Sequence, residues 1–194
     1  VTLVVHDWGS GLGFHWAHQN PDKIKGIVFM EAIVAHIPEW DAFPEAAIDV
    51  FQGFRSPAGE EMVLKQNIFV ETVLPENIIR TLTTAEMDEY RRPFLEPGED
   101  RRPTLTWPRQ LPIAGEPADV IQIVNDYGEW LAQSPLPKLF VNGDPGALIA
   151  GPVRDLVRSW PNISEVTVPG IHFLQEDSAD LIGEAVASWF DQLD

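Results

Sequence analysis

The chain has 194 residues, and 44% hydrophobic with 22% charged residues is the balance of a folded globular protein rather than a disordered one. Thirty acidic against 13 basic residues give a net charge of −17, which repels nucleic acid and anionic membrane surfaces. No cysteine is present, so disulfides and thiolate metal sites are excluded.

The chain opens on Thr2-Leu3-Val4-Val5-His6, an apolar β-branched run that reads as a buried strand. A core strand at the first residues suggests the C-terminal part of a longer protein, whereas trimming of a tag is the plainer alternative. A helix pattern follows at once over Gly9 to Gln19, so Val5-His6-Asp7-Trp8-Gly9-Ser10-Gly11 lies at a sharp strand-to-helix turn. In α/β-hydrolases such a turn is a strained elbow that lifts a nucleophile above the sheet, with small neighbours allowing close strand–helix packing. Asp7 holds the apex, and a carboxylate there makes an ester that an activated water then hydrolyses. An Asp at this position also serves simply as a helix cap, and the motif alone leaves both readings open. Ser10 falls inside the helix and is the weaker nucleophile candidate.

Lys25 to Met30 reads as a second strand with Glu31 at its end, where an unpaired buried carboxylate would be costly. Residues 36 to 134 lose strand character. Helix-like windows run over Trp40 to Phe54, Ala58 to Val73, Thr84 to Phe94 and Pro117 to Gln133, with proline joints at Pro93, Pro97, Pro103, Pro108 and Pro112. Such a stretch between two sheet strands predicts a helical cap over the sheet's C-terminal edge. Lys138 to Asn142 is a third strand, followed by the turn Asp144-Pro145-Gly146, and Glu165 to Val168 is a fourth. Helices are predicted over Val153 to Trp160 and Asp177 to Leu193. Strands alternating with helices indicate an α/β fold with a parallel sheet. Three segments result: core over 1–35, cap over 36–134 and core again over 135–194.

Five His residues compete as base. His6 is expected to point into the sheet, His15 and His18 ride a helix, and His36 stands at the cap entrance. His172 follows the last strand in Pro169-Gly170-Ile171-His172-Phe173, which delivers it to the sheet edge where Asp7 stands. The order nucleophile, acid, His is that of the hydrolase triad. Glu31 is favoured as the acid and Asp144 is the alternative, although Asp-Pro-Gly is also an ordinary turn.

His6-Asp7-Trp8-Gly9-Ser10, Phe29-Met30-Glu31, Leu111-Pro112-Ile113-Ala114-Gly115-Glu116-Pro117 and His172-Phe173-Leu174-Gln175-Glu176-Asp177 resemble the haloalkane dehalogenases of the α/β-hydrolase fold, in the subfamily with Glu as acid. The resemblance runs over essentially the whole chain. Phe69-Val70-Glu71-Thr72, Arg102-Pro103-Thr104-Leu105-Thr106-Trp107-Pro108 and Asp144-Pro145-Gly146 look more like the related coelenterazine-using luciferase. A sequence between the two is what a reconstructed ancestor or designed hybrid would look like.

The resemblance implies that Asp7 attacks the carbon bearing halogen, His172 activates water, Glu31 orients His172, and the Trp8 indole N–H binds the departing halide. It implies an apolar pocket lined by Phe43, Phe51, Phe69, Val73, Ala147, Leu148 and Phe173. No metal and no organic cofactor is expected. The partners it implies are a small apolar halogenated substrate and a halide product, with coelenterazine and O2 under the luciferase reading. Epoxide hydrolases share the elbow but use two cap Tyr residues, and only Tyr90 and Tyr127 exist here. Val5 stands where many elbows have Gly. The family's chain also begins upstream of its nucleophile strand, in a segment carrying the first strands, a second oxyanion donor and an Asn that shares halide binding. On that ground Thr2 to His6 is expected to lack strand neighbours within this chain. No secretory signal is visible, and a cytoplasmic location is expected.

Overall fold

The computed structural model describes residues 1–193. A four-stranded, all-parallel sheet runs in the order β1 (Thr2–His6), β2 (Gly26–Ala32), β3 (Lys138–Pro145), β4 (Ile163–Gly170). Val4 pairs with Val28, Val28 with Leu139, and Leu139 with Ser164. The sequence reading placed all four strands but stopped β3 and β4 short. Gly143, Pro145, Pro169 and Gly170 look like turn residues, yet the ladder continues to Pro145 opposite Gly170. Prolines are tolerated at such strand ends, where a missing N–H costs little.

Side-chain alternation sorts the sheet into two faces. Ile27, Phe29 and Phe140 meet Phe14 and Ala17 of α1 (Asp7–Gln19), and Val124, Tyr127 and Leu131 of a later helix, Ala118–Gln133. Val28, Met30, Leu139 and Val141 face the other way, onto Leu174, Ile182 and Trp189 of the final helix, Leu174–Phe190. β2 is buried at all seven positions, as a parallel strand covered on both faces should be.

β1 is different. It pairs with β2, which corrects the expectation that this chain supplies it no neighbour. On its other side no strand pairs with it among the described residues. Leu3 and Val5 pack onto the first face, whereas Val4 is 55% exposed, so β1 is not the fully buried strand read from its composition.

Residues 33–137 leave the sheet between β2 and β3. They hold α2 (Ile48–Arg55), α3 (Leu74–Glu76), α4 (Thr84–Arg91), α5 (Arg102–Arg109) and α6 (Ala118–Gln133). The helix-like windows at 40–54 and 58–73 are not regular α-helix throughout. The first is two 3₁₀ turns, at Trp40–Ala42 and Glu45–Ala47, leading into α2; the second is a pair of π-helical turns, at Glu60–Lys65 and Phe69–Val73. Pro103 and Pro108 are not joints but lie in α5, Pro103 in its first turn, where the missing N–H would have had no helical partner. α4 begins with a capping box between Thr83 and Glu86. After β3 come α7 (Gly151–Arg158) and, after β4, α8 (Leu174–Phe190). Among the described residues no helix is long and apolar enough to cross a membrane.

Candidate active site

Asp7 follows β1 directly and has φ of +44°, a left-handed conformation that L-residues adopt at a cost. The close strand–helix approach is made at Gly13, where an added Cβ would lie 2.9 Å from Cγ1 of Val5. Gly9 has open space instead, so the small residue that the turn requires sits one helical turn further on than the motif suggested. Ser10 is fully buried and structural. Its hydroxyl donates to the Asp7 carbonyl and accepts from the Ile33 N–H at 2.9 Å, which ties the elbow to the end of β2. The Asp7 side chain makes no capping bond at the start of α1, so the plainer reading of Asp7 as a helix cap fails. Its carboxylate is instead 34% exposed, and Oδ1 lies 3.6 Å from Nε2 of His172.

Glu31 also has a positive φ, +38°, and its side chain is 1% exposed. Its Oε2 accepts from Leu148 N–H at 2.7 Å and Ala147 N–H at 3.1 Å, and Oε1 from Ile149 N–H at 3.4 Å. Three successive backbone donors after β3 thus form a concavity for one carboxylate. Oε2 also lies 3.3 Å from Nδ1 of His172. A carboxylate only accepts, so Nδ1 carries the proton and Nε2 presents its lone pair towards Asp7. Burial alone would lower the pKa of His172, but the hydrogen bond it donates to Glu31 and the negative charges of Asp7 and Glu31 outweigh it and raise the value above the ordinary one. Asp144, the alternative acid, is an exposed residue near the end of β3, and no hydrogen bond or ion pair joins it to His172.

All seven predicted pocket residues line one cavity of about 350 Å³, together with Asp7, Trp8 and His172. It lies between the C-terminal ends of the strands and residues 33–137, the usual place for a ligand in an open parallel sheet. Pro44, Ala47, Asn77, Phe94, Trp107 and Leu111 add to the wall and were not foreseen. Trp107 is adjacent to Trp8, with ring centroids 5.0 Å apart. The walls are mainly apolar, with Asn77 and Thr104 adding polar side chains to those of the elbow and base, so the site is a space of low dielectric.

The other candidates are elsewhere. His15 contacts Gln19, His18 lies beside Trp130, and His36 is hydrogen-bonded to Asn125. Tyr127 donates to the Ile33 carbonyl at 2.6 Å and Tyr90 to the carboxylate of Glu176. Neither Tyr lines the cavity, which removes the pair an epoxide would need. His6 does not point into the sheet, as had been expected; its Nε2 lies 2.8 Å from the carbonyl oxygen of His172. Among the described residues no group of three or more His, Asp or Glu side chains is arranged to hold a metal ion.

A family model described as alpha/beta hydrolase fold matches residues 1–179. A haloalkane dehalogenase of Mycolicibacterium smegmatis is 60% identical over 191 residues, covering 97% of this chain and 61% of its own length. Coelenterazine h 2-monooxygenase of Renilla reniformis is 42% identical, covering 100% of this chain and 62% of its own. The crystal structure of haloalkane dehalogenase DbeA from Bradyrhizobium elkani superposes with a TM-score of 0.94 at 43% identity, over 99% of this chain and 67% of that one. The chain therefore spans somewhat over three fifths of the length of these curated relatives.

Proposed function

Given that the chain belongs to the α/β-hydrolase fold family, among the haloalkane dehalogenases, we propose that it catalyses hydrolysis of a carbon–halogen bond through an ester on Asp7. The observation that carries this reading is a single line of groups. A half-buried Asp7 carboxylate on a strained elbow faces an apolar cavity, with the His172 imidazole 3.6 Å behind it and Glu31 3.3 Å behind that.

In the first step Asp7 Oδ attacks the carbon bearing halogen. The C–X bond breaks, halide departs with the bonding pair, and an alkyl ester forms. The Trp8 indole, a pure donor, is the group for the halide. In the second step Nε2 of His172 takes a proton from water, and the hydroxide adds to the ester carbonyl. Collapse expels the alcohol, which recovers that proton from His172, and the restored carboxylic acid of Asp7 ionises. The sum is haloalkane plus water to alcohol, halide and a proton. Glu31 holds the Nδ1–H tautomer and stabilises the imidazolium that forms in the second step. Residues 1–35 and 135–194 act as the hydrolase core in this scheme and residues 36–134 as its cap.

Coelenterazine oxidation by O2 is the second reading, supported by the 42% identical monooxygenase. Cavity size favours the first. A volume of about 350 Å³ is at the small end of ligand pockets, which suits a short haloalkane better than a polycyclic substrate. Bromide release from 1-bromobutane, measured beside coelenterazine luminescence, tests both. Luminescence without bromide would reverse the assignment.

A further inference from the structure

We propose that His6 is a positioning residue that fixes the backbone under the base, and that it acts through the neutral Nε2–H tautomer. The inference rests on the dehalogenase reading for its effect on turnover, but its geometry stands without it. His6 is the last residue of β1, next to the nucleophile, and it takes no part in the two steps above. A carbonyl oxygen only accepts, so the 2.8 Å contact with His172 O requires that Nε2 of His6 carry hydrogen. The two rings lie 4.8 Å apart at 45°, and the Phe173 ring is 6.0 Å from that of His6.

The peptide groups around His172 are held from three directions. Its N–H donates to the Asn77 carbonyl at 3.2 Å, from the segment between β2 and β3. Its carbonyl accepts from Leu174 N–H at 3.0 Å, at the start of α8, and from His6, at the end of β1. His6 is therefore the link that registers the base loop against the nucleophile strand. The imidazole itself is tethered to Glu31 at only one nitrogen, so its angle towards Asp7 depends on where this backbone stands. A second cation beside His172 would oppose the imidazolium formed during hydrolysis. Burial, and after it the proximity of His172, hold the His6 pKa below the ordinary value, so that His6 remains neutral.

Ester formation needs only Asp7 and the halide donor, whereas ester hydrolysis needs His172 in place. The two steps respond differently for that reason. His6→Leu keeps an apolar filling and removes the donor; His6→Gln keeps an amide N–H of similar reach. The expected result with 1-bromobutane is a bromide burst at the parent's rate in His6→Leu, with steady-state turnover lower by about ten- to hundred-fold. His6→Gln should recover most of that loss. Nitrogen-15 NMR of the unsubstituted protein, independent of turnover, should show His6 as the Nε2–H tautomer. An Nδ1–H tautomer at His6 would overturn the inference. So would burst and turnover falling together, or Gln behaving no better than Leu. A parent that released no bromide at all would instead overturn the dehalogenase reading, and the turnover claim with it.

Discussion

Glu31→Gln removes one charge while keeping the shape of the side chain, and the structure dictates how the amide must sit. Oε2 receives Leu148 N–H, Ala147 N–H and His172 Nδ1–H, so an amide nitrogen there would set donor against donor three times over. The amide therefore turns its NH2 to the Oε1 side, where only the longer contact to Ile149 N–H is lost. The His172 tautomer survives, but the imidazolium of the hydrolysis step loses its buried counter-charge. A charge pair about 4 Å apart at an effective dielectric near 20 is worth about 4 kcal/mol. Part of that attraction already raises the pKa of His172 in the resting protein, so hydrolysis should slow by roughly two to three orders of magnitude. Stopped-flow bromide release from 1-bromobutane should show a normal burst followed by this slower steady state. Asp144→Asn, at an exposed position, should leave both phases near the parent values. A Glu31→Gln protein turning over within tenfold of the parent, or an Asp144→Asn protein slowed about a hundredfold, would remove Glu31 as the group that stabilises the imidazolium.

Hydrolysis requires neutral His172, whose pKa in the resting protein is raised above 6.5, so turnover should be lost on the acid side and reach a plateau at higher pH. Esterification removes the Asp7 charge that helps raise it, so the acid limb of kcat should lie at lower pH than the His172 titration seen by NMR in the resting protein; the reverse order would contradict the charge assignment. Ser10→Ala leaves the buried Ile33 N–H without its acceptor and should lower stability by about 1–3 kcal/mol in urea denaturation, while the bromide burst survives. Loss of the burst in a folded Ser10→Ala protein would reopen Ser10 as nucleophile. Gly13→Ala puts a Cβ 2.9 Å from Val5 and should cost about 1–3 kcal/mol by the same measurement, whereas Gly9→Ala, in open space, should cost little.

Asp7, Glu31 and His172 meet because each stands at or just past the C-terminal end of a strand that its apolar run betrays, and the C-terminal ends of parallel strands converge on one edge. The choice between Glu31 and Asp144 is written in neither residue. What favours Glu31 is the set of Ala147, Leu148 and Ile149 N–H groups around its carboxylate, and backbone donors leave no side-chain signature. The seven pocket residues were reached through resemblance, since apolar side chains at helical spacing look the same in a core as in a cavity wall. His6 keeps the extended register of β1 opposite Met30, but the loop before α8 brings the His172 carbonyl onto its ring, and a contact between residues so far apart in the chain leaves no local signal. The π-helical turns at Glu60–Lys65 and Phe69–Val73 share their apolar spacing with an ordinary helix over so few residues.

On the proposed mechanism Asp7 becomes covalently alkylated and His172 releases it. His172→Phe removes the base and leaves the nucleophile and the Trp8 indole in place. After incubation with 1-bromobutane, peptide mass spectrometry of that variant should find one butyl group, located on Asp7, with one bromide released per chain. An unmodified Asp7 in a protein that had released bromide, or the butyl group on another residue, would contradict the account.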